Sequence, residues 1–245
     1  LMVFFVWIKI PFKQVMYTLL LYVIPIVMVF GSIHHRNYTE YNSLSLVSQG
    51  GSHALYWVVP ATYQYSGQGS YQDGQAFAKN YFERAMNRDN LENPLDNPFK
   101  SSNYLMSLAK DALSELGLLN MLHAWSAGTV INFLTPSAAY APAVRAMEHS
   151  SFYATPGNGA VEKLIHYVIN TNGFIYLLII AIGTIISLIF LTMSMFGVYK
   201  MIKFPQSGRW NKGIIVFLLF IIIYFSVITG PIVGVKYRLP IEPVM

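Results

Sequence analysis

The chain contains no cysteine. Disulfide bonds, catalytic thiolates and metal sites built on cysteine are therefore excluded. Charged residues are also scarce, since Asp, Glu, Lys and Arg together make up 11% of the 245 residues. So little charge is unusual for a domain with a fully solvated surface. Any part of this chain that folds outside the cell must be held together by packing and hydrogen bonds alone.

Strand patterns and internal repeats are missing as well. The only alternating stretch, HALYWVV at 53–59, is too short to carry a sheet. Elsewhere the apolar residues recur at the three- and four-residue spacing of helices. The sequence therefore predicts a mainly α fold.

Apolar residues are abundant, at 54% of the chain. This composition indicates a polytopic membrane protein. The net charge of +5 comes from cations that cluster beside the apolar runs, where they set topology and meet anionic head groups. We therefore expect membrane lipids as partners and no nucleic acid.

Three segments are long enough to cross a bilayer, which takes about 20 apolar residues. They are 15–33, which contains Pro25, then 174–199 and 213–235. The chain opens on apolar residues without an initiator methionine, so we expect residues 1–33 to hold the end of a preceding segment followed by the first span. Residues 236–245 are expected to begin a further segment. The sequence thus has the character of a piece of a longer protein.

The distribution of Lys and Arg predicts the orientation of these spans. Lys9 and Lys13 precede the first span, and the connection 200–212 holds four cations and no acid, namely Lys200, Lys203, Arg209 and Lys212. Both regions are expected in the cytoplasm. Residues 174–235 would then form a helical hairpin, while 34–173 would form an extracytoplasmic helical domain.

Within that domain, 70–86 and 101–117 have helical spacing, the second with Ser101 or Ser102 as the cap and Gly117 as the stop. Residues 87–100 and 140–159 are expected to be loops. The segment 118–134 is uncharged and nearly long enough to span. We expect a helix lying in the membrane interface, with a buried core helix as the alternative.

Two ordered motifs carry a resemblance to a known family. Beyond Pro25 come RNY at 36–38, SQGG at 48–51, and then Leu55 and Tyr56, while the chain closes on KYRLPIEP at 236–243. This order resembles bacterial GT-C membrane glycosyltransferases of the dolichyl-phosphate-mannose protein mannosyltransferase superfamily, which includes the aminoarabinose transferases. The resemblance implies transfer of a sugar from a polyprenyl-phosphate donor to a lipid, glycan or protein acceptor. It also implies a bacterial inner membrane with the large loop on the periplasmic side.

The resemblance implies a binding role for cations at the outer boundary. Arg36, Lys236 and Arg238 would hold the lipid phosphate, because cationic side chains, and arginine in particular, bind phosphate strongly. A supporting loop would consist of Asn37, Gly50, Gly51 and Glu242. The family's acidic catalytic base lies in an earlier outer loop, so it has no counterpart in this chain and the catalytic residues stay unknown.

Each of these assignments has an alternative. The cations could be interfacial anchors that extend to the head groups, and the two glycines could form a turn before a belt of interfacial aromatics. The six histidines show no ligand spacing, so we expect neither a metal nor a cofactor. The rival function is a non-catalytic transporter or assembly subunit with an extracytoplasmic binding domain. The three spans contain no Asp, Glu, Lys, Arg or His, which disfavours transport.

Overall fold

The computed structural model describes residues 11–89, 96–152, 154–203 and 208–234. About 80% of the described residues are helical, and the described ranges contain no strand. The mainly α fold is therefore confirmed. Even the alternating HALYWVV stretch is helical, because 54–58 form a π-helical turn between two short α-helices.

Ten α-helices occur within the described ranges. In chain order they are α1 Phe12–Tyr41, α2 Gly50–His53, α3 Val59–Tyr65, α4 Tyr71–Arg88, α5 Pro98–Leu116, α6 Leu118–Leu134, α7 Pro142–Arg145, α8 Ala160–Asn170, α9 Phe174–Lys203 and α10 Gly208–Thr229. A π-helical turn at Ala54–Val58 joins α2 to α3, and a short 3₁₀-helix covers Ser137–Tyr140.

Helices α1 and α9 are long and apolar enough to cross a membrane. Each has 30 residues, and almost none of the apolar stretch of either helix is buried within the protein. That exposure distinguishes them from the core helices of a globular domain, whose apolar faces are covered. Both helices extend beyond the predicted spans, α1 by eight residues at its end, so that Arg36 and Asn37 are part of the helix itself.

Helix α10 differs from the predicted third span. It ends at Thr229, six residues earlier than expected, because Gly230 takes a left-handed φ of 59° and Pro231 follows. Proline lacks the backbone N–H that a helix needs. The apolar helical part, Ile215–Thr229, is shorter than α1 and α9. Whether α10 crosses the membrane stays a prediction.

Helices α2 to α6 pack against one another, and we call them the α2–α6 cluster. Its main apolar core lies between the π-helical turn, α3, α4 and α5. The buried core residues are Leu55, Val59, Ala78, Ala85, Leu108, Ala109 and Ala112. Small alanine side chains line the contact between α4 and α5 and let the two backbones approach closely. The predicted helix at 70–86 is α4, which opens with a capping box formed by Ser70 and Asp73.

The predicted start of α5 was wrong. Helix α5 begins at Pro98, and the Asn97 side chain caps it by accepting hydrogen bonds from the N–H groups of Phe99 and Lys100. Asparagine before a proline at the first helical position is a strong start signal, and it precedes the expected serine cap. The predicted stop at Gly117 is confirmed.

Helix α6 is present with the bounds expected from the sequence. One side is buried at Ala124, Gly128 and Asn132, and it faces α3 and the end of α10. The other side exposes Leu119 and Val130. The predicted loop at 140–159 contains the short helix α7 and is otherwise irregular where it is described.

Candidate functional site

Arg36 lies near the end of α1 and is held by its neighbour in the sequence. Its Nε and Nη2 atoms donate hydrogen bonds to Oδ1 of Asn37, at 3.2 and 3.0 Å. The described residues contain only two ion pairs, Lys79–Glu83 and Arg88–Asp89. No described carboxylate therefore neutralises Arg36, whose side chain is exposed.

Asn37 is fully buried and connects α1 to the segment that follows it. Its Nδ2 donates to the backbone carbonyls of Ser45 and Leu46, at 2.8 and 3.2 Å. Because Oδ1 of Asn37 accepts from the Arg36 guanidinium, the Asn37 side chain links Arg36 to the backbone of Ser45 and Leu46. Satisfied buried amides of this kind give rigidity.

The first turn of α5 holds both ends of the segment 42–49. Nδ2 of Asn97 donates to the carbonyl of Tyr41, the last residue of α1, at 3.0 Å. The hydroxyl of Ser102 accepts a hydrogen bond from the N–H of Gly51, also at 3.0 Å, at a buried position. The predicted residues Arg36, Asn37, Gly50 and Gly51 thus belong to one connected region.

Gly51 allows two backbones to meet. A Cβ atom at Gly51 would lie against the Ser102 backbone carbonyl, whereas one at Gly50 would be 3.7 Å from Met106 Cε, an ordinary contact. The N–H of Gly51 is already bonded to Ser102, so it is not available to a phosphate in this arrangement. Asn97 was not among the predicted residues, and Ser102 was expected only as a helix cap. The Asn97–Pro98 pair was the available signal for the start of α5.

The other predicted cations follow α10. Lys236, Arg238 and Glu242 lie outside the described residues, which end at Gly234. The last described residues are firmly held, because Asn132 of α6 donates to the carbonyl of Ile232 at 2.9 Å and accepts from the N–H of Gly234 at 2.7 Å. The last described residues before the KYRLPIEP segment are therefore anchored to α6.

The same contact is supported by close packing. Gly128 lies against Pro231, where a Cβ atom would come within 2.7 Å of the Pro231 Cα. Val233 is buried with Ala61, Tyr65 and Ala124. Helix α6 therefore joins the residues that follow α10 to α3, a role that its uncharged sequence did not reveal.

A separate pocket lies beside α8. It has a volume of about 180 Å³, and its lining includes the polar residues Ser150, Ser151, Thr155, His166 and Asn170 beside apolar surface. Close to it in the chain, Lys163 is fully buried, with Nζ 4.9 Å from the centre of the Phe152 ring. Burial lowers the pKa of Lys163 to about 8. None of the residues predicted to bind a phosphate lines this pocket.

No group of three or more His, Asp or Glu side chains in the described part of the chain is placed to hold a metal ion. Comparisons with models of protein families, with curated proteins and with solved structures found no match for this chain. Its own residues and geometry are therefore the basis for any functional assignment.

Proposed function

We propose that the chain is part of a membrane glycosyltransferase of the GT-C type. The full-length enzyme would transfer a sugar from a polyprenyl-phosphate donor to a lipid, glycan or protein acceptor at the extracytoplasmic face. The observation that carries this proposal is the placement of Arg36. It is an exposed cation near the end of a candidate membrane helix, aimed by Asn37 and neutralised by no described carboxylate.

The chemistry of the donor explains why such a cation would matter. In the transfer, an acceptor nucleophile gives its proton to the catalytic base and forms a bond to the anomeric carbon of the sugar, while the bond from that carbon to the phosphate oxygen breaks. The electron pair stays with the lipid phosphate, whose negative charge increases. A preorganised guanidinium near that oxygen stabilises the developing charge.

Asn37 supports this role by fixing one edge of the guanidinium. Nε and Nη2 donate to Asn37 Oδ1, while Nη1 makes no hydrogen bond to any described residue and so has both of its N–H groups available to a phosphate. Lys236 and Arg238 are proposed as the second half of the phosphate site, with Glu242 pairing with Arg238. The acidic catalytic base would come from an earlier part of the full-length protein.

The proposed location is the inner membrane of a bacterium, with 34–173 on the periplasmic side and α9 and α10 forming an antiparallel hairpin. The exposed apolar surfaces of α1 and α9 support membrane insertion. The cations near the end of α9, Lys200 and Lys203, support a cytoplasmic connection between the two helices.

The proposal is tested by measuring the binding of a polyprenyl phosphate to the purified full-length protein and to variants at Arg36. A charge-assisted hydrogen bond contributes about 1.5–3 kcal/mol, so Arg36→Ala should weaken binding by about tenfold to a hundredfold. Arg36→Lys should recover only part of the affinity, because lysine lacks the planar fork. Arg84→Ala, at an exposed arginine of α4, is the matched control and should bind as the wild type does.

Two results would count against the proposal. Unchanged affinity in Arg36→Ala would remove the phosphate-binding role of this residue. Full recovery in Arg36→Lys would instead indicate an interfacial anchor, for which any long cationic side chain suffices. Thermal unfolding of each variant should be measured in parallel, since a fold defect would lower the affinity of every variant without regard to charge.

A further inference from the structure

Helix α8 is amphipathic in an unusual sense, because its apolar face is the exposed one. Val161, Leu164, Ile165, Val168 and Ile169 follow the i, i+3, i+4, i+7, i+8 spacing of a single helix face. All five are more than half exposed, from 51% at Ile165 to 74% at Val161. In a water-soluble domain this face would be turned toward the core.

The opposite face of α8 packs against the protein. Lys163 is fully buried with its ammonium group over the Phe152 ring, and Tyr167 is 7% exposed with its ring edge-to-face on Phe152 at 5.3 Å. The buried Tyr167 belongs to the same apolar group as Val144 and Tyr176. Helix α8 is therefore already docked, and it is docked through its more polar side.

Helix α8 lies directly before a candidate membrane-spanning helix, which indicates that lipid covers its apolar face. Only residues 171–173 separate it from α9, a helix long and apolar enough to cross a membrane. This connection is tight, since Gly173 has a φ of 109° and a Cβ atom there would collide with the Glu148 carbonyl. The exposed apolar surface continues from Ile169 to Phe174 and Ile175 at the start of α9, which are 77% and 65% exposed.

We infer that α8 is a membrane-surface helix, with its apolar face inserted among the lipid acyl chains at the level where α9 enters the bilayer. The lipid bilayer itself is therefore what covers the apolar face of α8. Short amphipathic helices bind membranes in this way, with the apolar face buried at the boundary between head groups and acyl chains. The contacts of Lys163 and Tyr167 with Phe152 hold α8 against the protein, so that its apolar face is turned outward. This inference does not depend on the proposed glycosyl transfer.

The absence of cysteine allows a direct test by site-directed spin labelling. Single cysteines at Leu164, Ile165 and Val168 would be labelled with a nitroxide in the full-length protein. The protein would be reconstituted in vesicles of phosphatidylethanolamine and phosphatidylglycerol at roughly three to one, a mixture that supplies both neutral and anionic head groups. Collision rates with oxygen, which concentrates in the acyl region, and with a water-soluble nickel chelate would then be measured.

The expected result is a severalfold higher ratio of oxygen to nickel accessibility at the three α8 positions than at Lys79, an exposed residue of α4. Ile185, exposed on α9, is the matched control for a lipid-facing side chain and should give a similar or higher ratio. A ratio like that of Lys79 would overturn the inference in favour of a water-exposed face. Low accessibility to both reagents would overturn it in favour of a second protein chain covering the helix.

Discussion

At the scale of single residues, Gly51 has the most sharply defined role. Its Cβ position is occupied by the Ser102 backbone carbonyl, and its N–H is bonded to the Ser102 hydroxyl. We expect Gly51→Ala to lower the free energy of unfolding by about 3 kcal/mol or more, because the two helices must separate to admit the methyl group.

The adjacent Gly50 supplies the control for this prediction. A methyl group there would make an ordinary contact with the flexible Met106 side chain, so Gly50→Ala should change the stability by no more than about 0.5 kcal/mol. Thermal or denaturant unfolding in detergent measures both variants. Equal stability of the two variants would show that the approach of α2 to α5 is not tight.

The double glycine also shows what residue-level reasoning could and could not predict. From the sequence, Gly50 and Gly51 were expected in a loop that supports a phosphate site, with a turn before interfacial aromatics as the alternative. The partner is instead the backbone of α5, fifty residues further along the chain. No local pattern identifies that partner, because the contact depends on how α2 and α5 pack. The proposed phosphate-binding residues, including Arg36, stay predictions.

At the scale of secondary-structure elements, α6 links parts of the chain that are distant in sequence. Asn132 forms two hydrogen bonds to the backbone of Ile232 and Gly234, and it is buried. Replacing Asn132 with leucine would leave a buried carbonyl and a buried N–H without partners. Each such loss costs about 1–3 kcal/mol, so Asn132→Leu should lower the free energy of unfolding by about 2–5 kcal/mol.

A matched control lies on the same helix. Asn120 donates one hydrogen bond to the carbonyl of Leu116 just before the helix and is partly exposed. Asn120→Leu should therefore cost about 1 kcal/mol or less. If the two variants unfolded at the same temperature, Asn132 would not anchor the residues that follow α10.

Helices with clear apolar spacing or long apolar runs were predicted well. Helix ends that depend on one or two residues were predicted poorly. Helices α1, α4, α6 and α9 follow from their apolar spacing or length. The start of α5 was misplaced because Asn97–Pro98 was taken as part of a turn. The early end of α10 coincides with Gly230–Pro231, a helix stop signal that the prediction passed over because the apolar run continues to Val235.

At the scale of the whole molecule, the proposed topology places the end of α9 in the cytoplasm and the α2–α6 cluster outside. A single cysteine at Lys203 should react with a membrane-impermeant maleimide only after the membrane is opened. A cysteine at Lys79, on the exposed surface of α4, should react in intact cells or spheroplasts. Labelling of Lys203→Cys from the outside would invert the proposed orientation.

The helical class and the two long membrane-type helices could be predicted from the sequence. A helix that crosses a membrane needs about 20 apolar residues in a row, and such runs are visible in the sequence. The arrangement of the α2–α6 cluster was not, since it depends on pairings such as Gly51 with Ser102 and Asn132 with Gly234. The apolar face of α8 can be read from the spacing of its residues. Only the structure shows that this face is exposed and that the opposite face packs against the protein.

The central claim is that this chain recognises a polyprenyl phosphate rather than anionic lipids in general. The most direct test is native mass spectrometry of the full-length protein with a polyprenyl phosphate in the presence of excess phosphatidylglycerol, which requires no knowledge of the sugar or the acceptor. We predict that one polyprenyl phosphate is retained per chain and that Arg36→Ala loses it. Retention of phosphatidylglycerol to the same extent as polyprenyl phosphate, in wild type and variant alike, would contradict the claim.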